Sequence, residues 1–299
     1  MSAGAAFDPT TTLVASGNLR RRHIVNRVAE SAAVAAAVIA VGVLGIVVYS
    51  VLIHGASQLS LDFLIKNPTL TGVGGGLAYA FVGSFAIVLM ATLIAMPIGV
   101  LVALFLTEYG GGRLGGVIRT GLDLLNGMPS IIIALFVYGL IVIPQGHQSG
   151  FAGSAGLAIV MLPLIARGSQ EVLLLVPSAQ REAAEALGVS RWRTILGVVL
   201  PGALGGIVTS TVLAVARAAG ETAPLLLCSA IFPNSTTVNL FGHLGVPNVP
   251  VVIYQISEQP DPTGIARAWA ASFVLLSFIL FVSLAARAAL ARNRAKMTG

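Results

Sequence analysis

EAAEALGVSRWRTILGVVLP, residues 182–201, is a polar helix–glycine–helix segment set between two apolar spans. Pro177 ends the preceding helix, and Ser178 is placed to cap the next one. Glu182 falls near the first turn, where its charge suits the helix dipole. Ala183, Ala184, Ala186 and Leu187 favour helix, and Gly188 supplies a left-handed exit. Ser190 can cap a second helix that carries Trp192, Ile195, Leu196 and Val199, and Pro201 marks the return to apolar sequence. A short helix across the end of a bundle, tied by a glycine turn, can transmit a rigid-body push. An ordinary amphipathic surface helix would share much of this composition; the spacing and the flanking spans separate the two.

The flanks belong to a membrane protein. Hydrophobic residues make up 56% of the 299, and charged residues only 9%, against roughly 25% in a soluble domain. Uncharged runs at 31–53, 77–106, 124–146, 194–216 and 268–286 reach the ~20 residues that cross ~30 Å of hydrocarbon. A sixth, 152–174, is uncharged up to Arg167. No alternating strand pattern appears, so helices satisfy the backbone. The expected fold is all-α, with six transmembrane helices.

Basic residues orient these spans. Arg20, Arg21, Arg22 and Arg27, then Arg113 and Arg119, then Arg167, Arg181, Arg191 and Arg193, then Arg287, Arg292, Arg294 and Lys296 all fall on one side if the N-terminus is inside. Lys66 and Arg267 fall on the other, and Arg217 lies within a span. The asymmetry predicts both termini in the cytoplasm. It also accounts for the net charge of +6, and no basic patch is interleaved with aromatics, so nucleic acid is excluded as a partner. The lone Cys228 rules out an internal disulfide and a cysteine metal site, and His23, His54, His147 and His243 lack ligand spacing. The first apolar run is too long for a cleaved signal segment and reads as an uncleaved span. Residues 1–19, rich in Ala, Thr, Gly and Ser, read as a disordered tail. The expected organisation is a tail over 1–27, a six-helix domain over 28–290 containing the polar segment 177–201, and a tail over 291–299.

Residues 54–76 form an outer loop ending in Gly72, Gly74, Gly75 and Gly76, a flexible lead-in to the second span. Pro97 and Pro163 are expected to kink the second and fourth spans, and Gly127-Met128-Pro129-Ser130 to interrupt the third in the same way. The outer region 233–266 carries Pro233, Pro247, Pro250, Pro260 and Pro262, and its middle, VPVVIYQISEQ, reads as a short amphipathic helix at the outer surface.

The fifth span holds Arg217, with Glu221 four residues on, where the two can pair. A guanidinium in hydrocarbon costs at least ~2.5–3.5 kcal/mol, so it normally faces a polar interior or a pathway. If the helix stops near Gly220, Arg217 sits in the outer third of the bilayer; if it continues past Pro224, near the midplane. The pair is either a structural salt bridge or an anion contact in which a planar fork grips oxygens bidentately. Thr222, Ser210 and Thr209 could add hydroxyl donors. Arg167 and Glu171, at the same spacing near the inner end of the fourth span, read first as a structural or gating pair and second as a substrate contact. Asp123 reads as interfacial.

Glu182-Ala183-Ala184, three residues, Gly188, nine residues, Val198, then Leu200-Pro201 resembles the EAA loop of ABC-importer permeases, with valine where isoleucine is usual. ARAAGETAPLLL (216–227), GMPSIIIALF (127–136) and residues 161–195 resemble the corresponding stretches of Pst-type phosphate permeases, and the resemblance spans roughly 75–290. It implies a type I importer fold in a bacterial inner membrane. It also implies that Glu182, Ala183, Ala184, Gly188 and Trp192 dock a separate ATPase, and that Arg217, Glu221 and Thr222 line the substrate pathway. The implied partners are a second homologous permease, two ATPase subunits and an extracytoplasmic phosphate-binding protein. No cofactor is expected on this chain, which has no GxxxxGK[ST] loop, so ATP and Mg2+ belong to the ATPase; the chain itself is no enzyme. Sulfate, molybdate and phosphonate permeases share the EAA loop and are the rival substrates. An ion-coupled secondary transporter, with Arg217 and Glu221 as a proton relay, would leave that loop unexplained and shows no repeated half.

Overall fold

The computed structural model describes residues 18–67, 75–233, 235–236, 238–258 and 261–298. Most of the expected tail 1–19 therefore lies outside the described residues, as do Gly72 and Gly74. The chain divides into two units, 1–52 and 53–299. The first is built on α1 (Asn18–Ala56), which starts before the anticipated end of the tail. Its apolar side chains, among them Val38, Ile39 and Ile46, stand exposed, which carries no penalty in hydrocarbon.

The second unit is a helical bundle. Its elements are α2 (Leu61–Ile65), α3 (Ala78–Leu104), α4 (Arg113–Gly127), α5 (Ser130–Val137), α6 (Ile143–Gln145), α7 (Gly150–Leu174), α8 (Ser178–Ala186), α9 (Arg191–Thr194), α10 (Leu200–Ala218), α11 (Ala223–Cys228), α12 (Val249–Ser257) and α13 (Pro262–Thr298). Three π turns, Phe105–Tyr109, Tyr138–Val142 and Ile195–Val199, interrupt the α geometry. Among the described residues, five helices or helix runs are long and apolar enough to cross a membrane, and a sixth crossing results if the bent pair α4–α5 counts as one.

Helix α7 is the central post. Gly153, Gly156, Leu157, Met161, Ile165, Ser169 and Leu173 are all buried along it. Helix α3 lies against it with a stripe of small and branched residues spaced four apart: Ile87, Ala91, Ala95, Gly99 and Ala103. A β-carbon at Gly99 would come within 2.9 Å of Ile165, so the stripe sets how closely the two backbones approach. Helix α10 closes the other side, with Gly206 facing Val172, and Ile207 and Ala203 completing a core with Leu173, Ile195 and Val199.

Pro97 and Pro163 lie inside the continuous helices α3 and α7. The expected interruption at 127–130 is present, but the span begins earlier, at Arg113, and turns through 105° between α4 and α5. Met128 and Pro129 are both extended there, at ψ 137° and 135°, because a residue preceding proline is driven out of the helical region. The fifth span stops at Ala218, with Gly220 N–H bonding back to the Arg217 carbonyl, before α11 resumes at Ala223. Backbone groups freed at membrane depth need protein partners. Gln148 Oε1 accepts from Ala230 and Ile231, both at 2.8 Å, and its amide donates to the Leu227 carbonyl. Fully buried Asn248 donates to the Ser229 and Val246 carbonyls and accepts from Val251 N–H, capping α12.

Helix α12 is the anticipated helix of the 233–266 region, but its first turn, Val249–Val252, is buried in the bundle instead of lying on its surface. The 54–76 stretch contains α2, whose Phe63 packs under Leu77, Val249 and Ala270. The described helix α13 runs to Thr298, so the stretch expected as a C-terminal tail is helical.

Candidate coupling segment and polar cavity

The polar segment folds as two helices about a glycine. Gly188 has φ +74°. Its N–H donates to the Glu185 carbonyl at 2.9 Å, and Val189 N–H donates to the Ala184 carbonyl at 3.0 Å. This bond pair is a Schellman ending, in which the left-handed residue lets the chain cap its own helix. A β-carbon at Gly188 would meet nothing within 4 Å, so glycine is required by backbone angle and not by space. The expected cap at Ser178 is corrected: Pro177 is the N-cap and Ser178 the first helical residue. Ser190 does occupy the N-cap of α9, with no side-chain cap bond.

One face of this segment is bound to the bundle and the other is open. Ala184 and Ile195 are buried. Glu182, Ala183 and Gly188 are exposed, Leu187 is 83% exposed and Trp192 57%. Large apolar side chains held this open at the end of a membrane bundle are what a docking partner would cover.

Glu108, which no local signal in the sequence singles out, ties this segment down. It lies in the π turn after α3, next to its last residue Tyr109, and its side chain is 7% exposed. Arg181 of α8 reaches its Oε1 through Nε and a terminal nitrogen, both at 3.2 Å. The same guanidinium donates to the Val176 and Leu173 carbonyls, at 2.8 and 3.1 Å. Beyond the glycine turn, Arg191 donates to the Glu108 carbonyl and stacks 4.7 Å over the Tyr109 ring.

The second polar site is a cavity of about 170 Å³ lined by Leu125, Asn126, Met128, Pro129, Ser130, Ile133, Val160, Arg217 and Glu221. It opens at the α4–α5 break. Val160 is ten residues from one end of α7 and fourteen from the other, about 15 and 21 Å at 1.5 Å per residue. Thus Arg217 lies at mid-bundle depth even though its helix ends near Gly220, a combination neither sequence alternative contained. Arg217 Nε and Glu221 Oε1 are 3.8 Å apart, an ion pair too long to be a hydrogen bond. Arg217 is 57% exposed, and its terminal nitrogens make no protein hydrogen bond among the described residues. With a water taking about 30 Å³, the space fits a small hydrated anion.

Thr222 is the N-cap of α11 and is not among the cavity-lining residues. Thr209 and Ser210 donate to the Gly205 and Gly206 carbonyls of their own helix, so their hydroxyl protons are already used. The Arg167–Glu171 pair is corrected: Arg167 pairs with Asp123 of α4 and also donates to the Arg119 carbonyl, while Glu171 is exposed and forms no ion pair among the described residues. Asp123 therefore joins α4 to α7. His147 and His243, far apart in sequence, meet edge-to-face at 4.6 Å between ring centres. Among the described residues no three His, Cys, Asp or Glu side chains are grouped to hold a metal.

The bundle thus carries a glycine-hinged polar segment open on one face and a cavity lined by Arg217 and Glu221. Residues 95–295 match the family described as the binding-protein-dependent transport system inner membrane component, and the chain belongs to that family. It is 40% identical over 242 residues to the phosphate transport system permease protein PstA of Haemophilus influenzae, covering 81% of this chain and 85% of that one. The Xylella fastidiosa (strain Temecula1) protein of the same name is 36% identical over 277 residues, covering 92% and 96%. Among solved structures, a bacterial ABC transporter involved in alginate import aligns at TM-score 0.55 and 15% identity, over 90% of this chain and 98% of that one. The inward-facing MetNI methionine ABC transporter aligns at 0.54 and 20% identity, over 72% and 94%. These place the fold among type I importer permeases, in a multi-pass inner-membrane protein, and remove the ion-coupled secondary carrier as a reading.

Proposed function

We propose that this chain is the transmembrane permease subunit of an ATP-driven importer of inorganic phosphate. The observation that carries the reading is the Arg217–Glu221 pair lining a mid-bundle cavity, in a chain whose relatives are named phosphate transport system permeases over most of its length. A planar guanidinium matches two oxygens of a tetrahedral oxyanion. The first turn of α5, opening at Ser130 on the same cavity, adds the positive end of a helix dipole. Glu221 competes with the substrate for Arg217, so the anion is held loosely enough to leave.

The energetics require a coupled machine. Moving a dianion inward against about 150 mV costs about 7 kcal/mol, at ~2.3 kcal/mol per charge per 100 mV. In this reading Leu187, Trp192 and the exposed face of α8 dock an ATPase, and ATP and Mg2+ bind there. A second homologous permease completes the pathway, and a phosphate-binding protein delivers substrate at the opposite end. Both termini lie in the cytoplasm. Replacing Arg217 with Gln in a cell dependent on this importer lowers phosphate uptake at least tenfold, the cost of one charge-assisted contact, with normal amounts of assembled protein. Undiminished uptake excludes Arg217 from the pathway. The same fork accepts sulfate, and competition by sulfate at equal concentration would assign the cavity to that rival.

A further inference from the structure

We propose that Glu108 is the positioning residue through which motion of the coupling segment enters the membrane bundle, with Arg181 and Arg191 as its two handles. The proposal rests on the reading of this chain as an ATP-driven permease. Helices α8 and α9 sit on either side of Gly188, a hinge with φ +74°. A hinge alone dissipates a push. Here both helices are bound to one residue instead: Arg181 to the Glu108 carboxylate and Arg191 to its carbonyl.

Glu108 belongs to the last turn of the α3 run, and α3 reaches from this end of the bundle to the other. It packs on α7 through Ala91, Ala95, Gly99 and Ala103, and at its far end Ser84 Oγ accepts from the N–H of Val249, the first residue of α12, at 2.8 Å. Arg181 also donates to the Leu173 carbonyl in the last turn of α7 and to the Val176 carbonyl two residues past its end. A displacement of α8 is therefore delivered to α3 and α7 together. The π turn at Phe105–Tyr109 contains Glu108, in keeping with the frequent placement of such turns at functional sites.

The test uses the whole reconstituted transporter with its ATPase, in a Cys228→Ser background. Glu108→Ala and Arg181→Ala each lower phosphate moved per ATP hydrolysed several-fold while ATPase activity persists. The double variant is no worse than either single one, because the two side chains form one unit. Glu108→Gln, which keeps the acceptor oxygen, retains more coupling than Glu108→Ala. A merely structural role lowers uptake and hydrolysis in proportion and leaves the ratio unchanged; that result overturns the proposal. A second readout needs no substrate: thiol labelling of Met128→Cys at the cavity edge changes with ATP when Glu108 is present and stops changing in Glu108→Ala. Persistence of the ATP-dependent change in Glu108→Ala also overturns it. If the parent moves no phosphate yet its labelling responds to ATP, the substrate reading has failed and the labelling comparison alone decides the role of Glu108.

Discussion

Asp261 shows how one side chain fixes the start of a long helix. Its carboxylate accepts from Thr263 N–H at 3.2 Å and Gly264 N–H at 3.0 Å, and from the Thr263 hydroxyl, with Pro262 occupying the first helical position where no donor is needed. The Thr263 hydroxyl, above all, holds its carboxyl below the usual aspartate range, helped by the Thr263 and Gly264 N–H groups and by Arg267. A depressed folded pKa means the ionised form favours the fold. The contribution is thus complete above the ordinary Asp value of about pH 4 and is lost as pH falls through the lower folded value. The melting-temperature gap between the parent and Asp261→Ala should therefore shrink as pH drops below about 4, that ordinary value; a gap that widens contradicts this cap. The residue scale is also where the sequence was least informative. Glu108 and Arg181 stand 73 positions apart, and Arg167 and Asp123 stand 44 apart. Periodicity and capping rules report on neighbours within a turn or two, so Glu171 was the only partner they could offer Arg167.

Elements were legible where their signals are local. The glycine-hinged pair α8–α9 follows from Pro177, the alanines, Gly188 and Ser190, all within fourteen residues of each other, and Gly188 adopts the left-handed angle expected of it. The third span was legible as a break but not as a 105° turn, because the angle is set by what α4 and α5 pack against: Leu122 lies in a cluster with Ala166, and Ile133 is buried beyond the break. The fifth span's stop near Gly220 was one of two open alternatives, and in the fold it is closed by local turn bonds from Gly220 N–H to the Arg217 carbonyl and from Glu221 N–H to the Ala218 carbonyl. Close helix approach gives an element-scale prediction. Gly99→Leu would drive a side chain into Ile165 and the Ala166 backbone, an overpacking cost of about 1–3 kcal/mol. Gly116→Leu on α4, where nothing lies within 4 Å, gains helix propensity at no steric cost. Melting in detergent should separate them, with Gly99→Leu several degrees lower; equal melting temperatures contradict the packing described.

At the scale of the molecule, two polar features stand out in a largely apolar bundle: the glycine-hinged segment at one end and the Arg217 cavity at mid-depth. Composition and the run lengths of apolar residues were sufficient for a polytopic helical protein, since hydrocarbon leaves the backbone few alternatives. The family match over 95–295 agrees with that reading. Depth was not legible, because it depends on how α10 stands beside α7 and not on distance along one helix. In the proposed transport cycle, Leu187 and Trp192, open at 83% and 57%, receive a push from a nucleotide-driven partner. The direct measurement is ATP-driven phosphate accumulation in membrane vesicles carrying the whole transporter, comparing the parent with a Leu187→Asp, Trp192→Asp double variant. Docking through these two side chains predicts at least a tenfold fall in accumulation, the loss of about 1.4 kcal/mol or more of docking energy, with unchanged amounts of permease in the membrane and little ATPase retained on it. Accumulation at the parent's rate in the double variant would contradict it.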